Sequence, residues 1–499
     1  MPAMAEAKRR AGRLRINVNI GSVLFLLGRL LLALALALLV PALVAQYLEE
    51  DARWAFYAAA GFAAALGLFL ERYFHQGEEF AFGRREAFLL VSSAWLLATA
   101  VGAMPYVLQN GFAFTVDALF ESASGFTTTG ASIFADVEVL PRSVLLWRAL
   151  TQWIGGMGII VLGIAVLPKL AVGGMELLGA EAPGPIQEKL TPRIAQTAKA
   201  LWGIYVFLTL VEIGVLWVLG LGPLDAVAHA FASMATGGFS TRNGSISAFE
   251  SAAVEWTVTL FMVLAGVSFA VHYQWLRGRF LVLKKDSELH LYAGILAAGT
   301  LVVLLDLMFG RVTSSFFEAL RLATFQVVSI VTTTGFATAD YGAWPQASRV
   351  FLFVLMFTGG CAGSTGGSVK IVRLLIIFKK IVVDLKRMLQ PHAVLPVRLG
   401  SRSIPDDVVS SVTTFFVLFL LLFALGGLAL TIFGVDPLSA FSASAACLGN
   451  IGPGFGAVGP TMNYAALPAA AKVLLAVLMV VGRLELYTVM VILFFRRVA

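Results

Sequence analysis

The sequence predicts an all-α integral membrane protein with ten transmembrane helices. Of its 499 residues, 59% are apolar and only 13% are charged, whereas a soluble domain carries about a quarter charged residues. Uncharged runs such as Leu30–Val44 and Thr413–Phe433 approach or exceed the ~20 residues that cross a hydrocarbon core. A short Thr-Gly phrase also recurs four times, each copy where a pair of spans needs a connector.

The four copies of this phrase predict a ring of four similar units. They are Ser124–Ala131, Met234–Ser240, Ile330–Phe336 and Gly449–Phe455, and their aligned glycines are 108, 97 and 117 residues apart. One Thr-Thr-Gly is a weak signal, but four copies in phase with four helix pairs are a strong one. Because rings of backbone carbonyls hold K⁺ in selectivity filters, the pattern predicts one central cation pore.

The apolar runs divide the chain into two N-terminal helices and four repeats of outer helix, pore loop and inner helix. The predicted spans are 21–46 and 54–73, then outer helices at 86–108, 200–220, 289–310 and 409–434, and inner helices at 144–170, 252–276, 347–380 and 470–495. The predicted units are 1–80 for the cytoplasmic N-terminal segment with the two extra helices, 81–175, 176–285 and 286–385 for the first three repeats, and 386–499 for the fourth.

The basic residues predict that both termini are cytoplasmic. Of the 36 Lys and Arg, 26 lie in the first 15 residues, four connectors and the last four residues. Alternating spans place all six groups on one side, which is the positive-inside pattern and argues against a nucleic-acid partner. The stretch Val23–Val44 is too long for the apolar region of a cleaved signal. The connectors 173–199 and 379–407 are either topological anchors or docking surfaces for a cytosolic regulator.

A segment too short to span precedes each Thr-Gly phrase. These segments are Asp117–Ser124, Asp225–Met234, Ser314–Val328 and Asp436–Ala446. They begin with Asp or Ser, which are favoured N-caps, and they are too apolar for exposed loops. We therefore predict short pore helices whose negative C-terminal ends point at the phrase and stabilise a cation there.

The filter is predicted to coordinate the ion mainly through backbone oxygens. Glycine allows positive φ and a close approach of the backbone to a ligand, so the carbonyls before it can turn inward. The predicted filter residues are Thr128, Thr129 and Gly130, then Thr236, Gly237 and Gly238, then Thr333, Thr334 and Gly335, and finally Asn450, Ile451 and Gly452. The fourth triplet departs most from the others, because Asn450 and Ile451 stand where the first and third have a Thr pair.

The third inner helix is interrupted at Thr358–Lys370, for which we predict an unwound, mobile gating loop. Its five glycines within ten residues are poor helix formers and too many for helix packing alone. The predicted gate residues are Gly359, Gly360, Gly363, Ser364, Thr365, Gly366, Gly367 and Lys370. A nucleotide-binding loop needs Gly-Lys followed by Ser or Thr, and no Gly-Lys pair occurs in the chain.

Arg483 is the most unusual charge, because it is predicted near the middle of the last helix, where an arginine costs about 2.5–3.5 kcal/mol. It is either an electrostatic barrier in the pore or the partner of another segment. Glu485 lies about 200° around the helix from it, so the two are not expected to pair. Arg148 and Arg349 are predicted to be anchors at the membrane interface.

No catalytic residues are predicted. The five histidines, at 75, 229, 272, 290 and 392, have no metal-ligand or triad spacing, and His272 is interpreted as a packing residue. Cys361 and Cys447 are expected to be buried thiols. The chain is therefore expected not to be an enzyme.

The motifs together resemble the TrkH family of bacterial Trk-system potassium uptake proteins, in the superfamily that also contains TrkG and KtrB. The resemblance rests on the four filters, the two N-terminal helices, Arg148–Gly158, the Gly-rich loop and Gly482–Glu485, which follow one another in the family's order. It covers nearly the whole chain. KtrB proteins usually lack the two leading helices, so 21–73 favours the TrkH side.

The resemblance implies K⁺ as the transported ion, an intramembrane gate at Thr358–Lys370 and a pore arginine at Arg483. In plant relatives a serine at the first filter glycine accompanies Na⁺ transport, so Gly130 favours K⁺. The family further implies a homodimer in lipid of the bacterial inner membrane. A TrkA-like cytosolic ring would carry any nucleotide, with no covalently bound cofactor expected.

The sequence thus favours channel-like K⁺ uptake gated beneath a filter. Within transport, the alternative is a K⁺ symporter coupled to Na⁺ or H⁺, which should need a second ion site or a titratable residue on the pathway. A membrane enzyme or receptor is the alternative from another class, and it predicts clustered His, Asp or Glu within the membrane.

Overall fold

The helices of the computed structural model follow the predicted order. The structure describes residues 19–75, 84–165, 190–279, 286–400 and 402–486. In chain order the helices are α1 Ile20–Tyr47, α2 Arg53–Tyr73, α3 Arg84–Asn110, α4 Thr115–Phe126, α5 Arg142–Ala165, α6 Leu190–Val218, α7 Pro223–Met234, α8 Ala252–Gly266, α9 Phe269–Leu276, α10 Ser287–Phe309, α11 Phe316–Val331, α12 Gln346–Leu355, α13 Ile371–Leu389, α14 Asp406–Ile432, α15 Pro437–Leu448 and α16 Ala469–Arg483. The basic N-terminus, much of connector 173–199 and the predicted ends of the first and last inner helices lie outside the described residues.

The two N-terminal helices form a tight hairpin, as predicted. Gly28 of α1 and Gly67 of α2 face each other, and a Cβ added to either would lie under 3.0 Å from the carbonyl oxygen of the other. Small residues allow this close approach of helix backbones within a membrane. Buried side chains of both helices then join the core that α3, α4 and α5 form in the first repeat.

The second outer helix is longer than the sequence indicates. The helix α6 begins at Leu190, ten residues before its predicted start. The sequence analysis assigned this stretch to the connector 173–199, whose Pro192 lies in the first helical turn. A proline is tolerated there because its missing N–H would have no intrahelical partner.

The second inner helix is broken, which corrects the continuous span predicted at 252–276. The helices α8 and α9 meet at 98°. At the break, backbone groups that would bond within a continuous helix bond the Gly-rich loop instead. Cys361 N–H donates to the Gly266 carbonyl (2.9 Å), and Phe269 N–H donates to the Gly363 carbonyl (3.1 Å). His272 Nε2 lies 2.8 Å from the Leu264 carbonyl across the bend, so its predicted packing role is confirmed.

The membrane-spanning helical class is confirmed. Among the described residues, six helices are long and apolar enough to cross a bilayer, or seven if the α8–α9 pair counts as one span. The remaining inner segments fall short because the Gly-rich loop separates α12 from α13, and α16 ends at Arg483. The total of ten spans therefore stays a prediction.

All four predicted short helices are present, as α4, α7, α11 and α15. Ser315 and Asp436 cap α11 and α15, with side chains that accept hydrogen bonds from Glu318 and Ser439 N–H. The expected caps at Asp117 and Asp225 are wrong. Both lie in the first turn, and each forms an ion pair with a cation outside its helix, Lys472 and Arg242 respectively.

The connector 379–407 is an ordered basic segment. It continues α13 to Leu389 and contains a two-residue antiparallel pair, Arg398–Leu399 with Arg402–Ser403. Lys379 Nζ donates to the Arg398 carbonyl (2.7 Å), so the connector folds back onto α13.

Candidate functional site

Each short helix ends in the same backbone turn, and the predicted filter triplets begin there. In the first, Thr128 N–H donates to the Gly125 carbonyl (3.0 Å) and Thr129 N–H to the Ser124 carbonyl (2.8 Å). This pair of bonds around a left-handed residue is a Schellman motif. The left-handed residues are Thr128, Thr236, Thr333 and Asn450, with φ of 54°, 53°, 59° and 54°. Because this conformation costs a non-glycine residue about 1–2 kcal/mol, its fourfold repetition indicates that the surroundings enforce it.

The four filter glycines close a ring. Gly130, Gly238, Gly335 and Gly452 have φ of 80°, 76°, 81° and 98°. A Cβ added to any of them would lie under 3.0 Å from a carbonyl oxygen of another loop, namely Gly237 for Gly130, Thr334 for Gly238, Ile451 for Gly335 and Thr129 for Gly452. The contacts run from the first loop to the second, third and fourth, and return to the first. All four glycines also border one cavity of about 140 Å³.

Side chains support the loops unequally. The Thr127 and Thr129 hydroxyls lie 2.8 Å apart, and so do those of Thr332 and Thr334. The Asn450 amide donates to the Thr129 hydroxyl (2.9 Å), which joins the fourth loop to the first.

Two of the backbone carbonyls that are predicted to bind the ion accept hydrogen bonds from side chains. The Gly452 carbonyl accepts a hydrogen bond from the Tyr464 hydroxyl (2.7 Å), and the Gly237 carbonyl accepts one from Gln152 Nε2 (2.7 Å). The second and fourth loops therefore differ chemically from the first and third.

The Gly-rich loop Thr358–Lys370 lies directly against the predicted filter loops and the helix ends that precede them. The Thr365 hydroxyl donates to the Met234 carbonyl at the end of α7 (3.1 Å), and Gly367 N–H donates to the Thr333 hydroxyl (2.6 Å). A Cβ at Gly367 would lie under 3.0 Å from the Gly449 carbonyl. The loop thus contacts the backbone or side chains of three repeats.

Internal bonds and one outside carboxylate hold this loop in shape. Gly359 N–H donates to the Val369 carbonyl (2.8 Å), and the Lys370 ammonium donates to the Gly366 carbonyl. The remaining predicted residues take part in the same fold, with Gly360 packed against the Ser364 hydroxyl and Gly363 left-handed at φ 76°. Glu288 Oε1, at the start of α10, accepts from the N–H groups of Ala362 (2.6 Å) and Val372 (3.1 Å).

Arg483 contacts the Gly-rich loop from the neighbouring fourth repeat. Its Nη1 donates to the Thr365 carbonyl (2.8 Å), and its side chain is buried. The expectation that it lies in mid-helix is wrong, because α16 ends there in a turn with left-handed Glu485 and Leu486. A cation at a helix C-terminus is stabilised by the helix dipole.

Comparisons with known proteins agree with this geometry. The family model for TrkH, described as a cation transport protein, matches residues 58–497. The chain belongs to the TrkH family. It is 40% identical to the Trk system potassium uptake protein TrkH of Escherichia coli K12 over 94% of this chain and 97% of that one, and 39% identical to TrkH of Halomonas elongata over 95% and 98%.

A solved structure gives the same result. The crystal structure of the potassium transporter TrkH from Vibrio parahaemolyticus superposes with a TM-score of 0.87 at 35% identity, covering 95% of this chain and 98% of that chain. The family resemblance and the helical membrane fold are therefore confirmed for this chain.

In this TrkH-family chain, Arg483 and Glu485 have separate partners, as predicted. Glu485 forms an ion pair with Arg373, which lies in the first turn of α13, directly after the Gly-rich loop. The Arg373 guanidinium also stacks on Phe415, with its central carbon 3.9 Å from the ring centroid. The end of α16 is thus tied to the helix that follows the loop.

Arg148 is a buried brace between two repeats, not the predicted interface anchor. It pairs with Glu121 of α4 at 2.8 Å, with side chains 3% and 0% exposed, and donates to the Ser240 carbonyl just past the second filter (3.0 Å). Nothing local in the sequence marks Glu121 as its partner, because the two residues lie 27 positions apart in different helices.

Outside the membrane-spanning segments, the residues after the first two filters are tied together by polar groups. Asn243 Nδ2 donates to Asp136 Oδ1 (2.7 Å), and its Oδ1 accepts from Val137 N–H (2.8 Å). The bond from Asn243 lowers the pKa of the Asp136 carboxyl.

Glu212 is a buried acid that the sequence analysis missed, because it is alone in the apolar run 200–221. It faces Ser233 of α7, is wholly buried, and has no well-formed hydrogen bond to either oxygen. The described part of the chain holds no group of three or more His, Cys, Asp or Glu that could bind a metal ion.

Proposed function

We propose that this chain takes up K⁺ across the bacterial inner membrane as the pore subunit of a Trk system, with both termini in the cytoplasm, and that it is not an enzyme. The relatives named as potassium uptake proteins support the substrate. The observation that carries the proposal is the closed ring, in which every filter glycine abuts a carbonyl of the next loop.

In this proposal K⁺ exchanges its hydration shell for backbone oxygens of the four triplets. Rings of carbonyl dipoles can replace the water shell of K⁺. The C-terminal ends of α4, α7, α11 and α15 carry partial negative charge and lead straight into the loops, so they favour a cation there. Glycine is required because a side chain would collide with the neighbouring carbonyl.

The gate in this proposal is the Gly-rich loop together with Arg483. The hydrogen bond from Arg483 to Thr365 holds a positive charge beside the loop beneath the filter, which opposes entry of a cation. The Arg373–Glu485 pair connects this arginine to α13, so a movement of α13 would shift the loop and Arg483 together. The five glycines of the loop, one of which is the left-handed Gly363, make such a movement sterically easy.

A cytosolic regulator would act on α13 and the ordered basic connector 379–407. The family resemblance suggests a TrkA-like ring that carries the nucleotide site, and a homodimer of this chain in the lipid bilayer. The exposed Arg387 and Lys386 at the end of α13 would suit an acidic surface on that partner.

The test is uptake of rubidium into proteoliposomes that contain the purified chain, driven by a K⁺ gradient alone. Uptake blocked by external K⁺ but not by Na⁺ or choline is expected. Equal competition by Na⁺ would contradict a K⁺ filter. If uptake requires the regulator, addition of the partner with nucleotide restores it.

Proton coupling is a second candidate because of Glu212. A titratable side chain inside a membrane helix is the kind of group that proton-coupled transport uses, and Glu212 is buried without a charged partner. If uptake stops when the pH gradient is collapsed, and Glu212→Gln makes it independent of that gradient, the chain is a K⁺/H⁺ symporter. The channel proposal predicts that neither change affects K⁺ uptake, and a Na⁺ gradient should likewise have no effect on uptake.

A further inference from the structure

Gln152 is a wholly buried side chain of α5 that belongs to the first repeat but holds the filter of the second. Its Nε2 donates to the Gly237 carbonyl (2.7 Å), and its Oε1 accepts from Phe239 N–H (3.1 Å). One amide group therefore binds the backbone on both sides of the filter glycine Gly238. A glutamine amide has donor and acceptor at a fixed spacing, which suits this two-point contact.

The same amide occupies the space of a missing side chain. The residue before the filter glycine is Thr129, Thr334 or Ile451 in three loops, but Gly237 in the second. A Cβ added to Gly237 would have its three nearest atoms, all under 3.0 Å away, in the Gln152 amide. The φ of Gly237 is not left-handed, so its backbone would accept a side chain if the amide were absent.

The second loop also lacks the hydroxyl pair of the first and third loops. Those pairs join Thr127 to Thr129 and Thr332 to Thr334. The second loop has Ala235 and Gly237 at the matching positions, so it can form no such bond. Gln152 is the polar group that takes its place.

We propose that Gln152 is a positioning residue that sets the geometry of the second filter loop and thereby contributes to discrimination between K⁺ and Na⁺. This rests on the proposed function, because it takes the four loops as the K⁺ filter. Without the amide, the Gly237 carbonyl loses its donor and the loop borders a void. The loop can then contract around a smaller ion, and selectivity depends on the arrangement of the carbonyls.

The test compares Gln152→Ala, Gly237→Thr and the double variant in the full chain. The measured quantity is how much more strongly external K⁺ than external Na⁺ inhibits rubidium uptake, expressed as a ratio. Each single change removes the amide from the loop and so disturbs the arrangement of its carbonyls, which predicts a roughly tenfold or larger drop in that ratio. In the double variant the threonine fills the vacated space, as Thr129 and Thr334 do in their loops. The ratio should recover above that of either single variant, which a general loss of stability would not produce.

Two controls keep the outcomes separate. Ser143 lies on the same helix as Gln152 but away from the filter, and Ser143→Ala removes its partly buried hydrogen bond to Glu50; this variant should leave the ratio unchanged. Gly335→Ser disturbs the ring directly, so an unchanged ratio in that variant overturns the proposed filter itself. A wild-type ratio in Gln152→Ala, or a double variant whose ratio does not exceed that of both single variants, overturns the role of Gln152 while the filter stands.

Discussion

Each of the four predicted filter loops has two residues with left-handed backbone, a threonine or asparagine and then a glycine. The sequence analysis predicted the glycines, because repeated Thr-Gly marks backbone that needs positive φ. It did not predict left-handed Thr128 or Asn450, since such residues adopt this conformation only when tertiary contacts impose it. The supporting side chains Gln152 and Tyr464 were missed for a related reason, as nothing local distinguishes them.

A side chain at a filter glycine should abolish K⁺ selectivity. Gly335→Ala places a methyl group under 3.0 Å from the Ile451 carbonyl, a backbone atom that cannot move aside. The matched control is Gly434→Ala, which has the same left-handed strain (φ 89°) but open space around it. We expect the control to lose only about 1–2 kcal/mol of stability and to keep its K⁺ over Na⁺ preference in rubidium uptake. Equal selectivity in both variants would contradict the ring.

Breaking the buried brace at Arg148 should destabilise the protein strongly. Arg148→Ala leaves the Glu121 carboxylate buried without its partner, for which the cost is roughly 3–5 kcal/mol. The exposed pair of Arg242 with Asp225 is the control, and Arg242→Ala should cost less than about 1 kcal/mol. Thermal unfolding in detergent measures both, and similar midpoints would show that the Arg148–Glu121 pair stabilises the protein no more than an exposed ion pair does.

At the scale of elements, the short pore helices could be predicted from composition, since each is apolar, brief and begins near Asp or Ser. The broken inner helices could be predicted only in part. The five glycines revealed the interruption between α12 and α13. The bend between α8 and α9 could not be predicted, because it depends on a loop about 100 residues away that forms hydrogen bonds with the backbone of Gly266 and Phe269.

The Gly-rich loop, the proposed gate, should loosen when its outside support is removed. Glu288→Ala deletes the oxygen that accepts from Ala362 and Val372, so the rubidium leak without regulator should rise several-fold. Glu288→Gln keeps an acceptor oxygen at that position and should leak less than the alanine variant. Identical leak in wild type and Glu288→Ala would mean that the loop is held closed by other contacts.

Arg483→Ala should increase conductance. The change removes the charge that contacts the Thr365 carbonyl and the bond that holds the loop from the side of α16. Single-channel or rubidium flux measurements should show a larger rate, while selectivity, which belongs to the ring above, stays high. Unchanged or lower flux in a normally folded variant would remove Arg483 as a barrier.

The whole molecule is a closed sequence of repeats joined by polar contacts between distant parts of the chain. Asn450 bonds Thr129, Lys472 pairs with Asp117, and Arg148 bonds the Ser240 carbonyl. The fourfold motif was enough to predict the ring and its chain order. Which side chains join the repeats was beyond prediction, because one sequence carries no distances between residues that are far apart along the chain.

The most direct test of the central claim is to locate the ion. Anomalous diffraction from crystals of the full chain grown with Rb⁺ in place of K⁺ should show a peak on the axis of the ring, coordinated by carbonyl oxygens from all four triplets. Addition of excess K⁺ should abolish the peak, whereas excess Na⁺ should leave it. A peak bound by fewer than four loops, or one found only elsewhere, such as beside Glu212, would contradict the account.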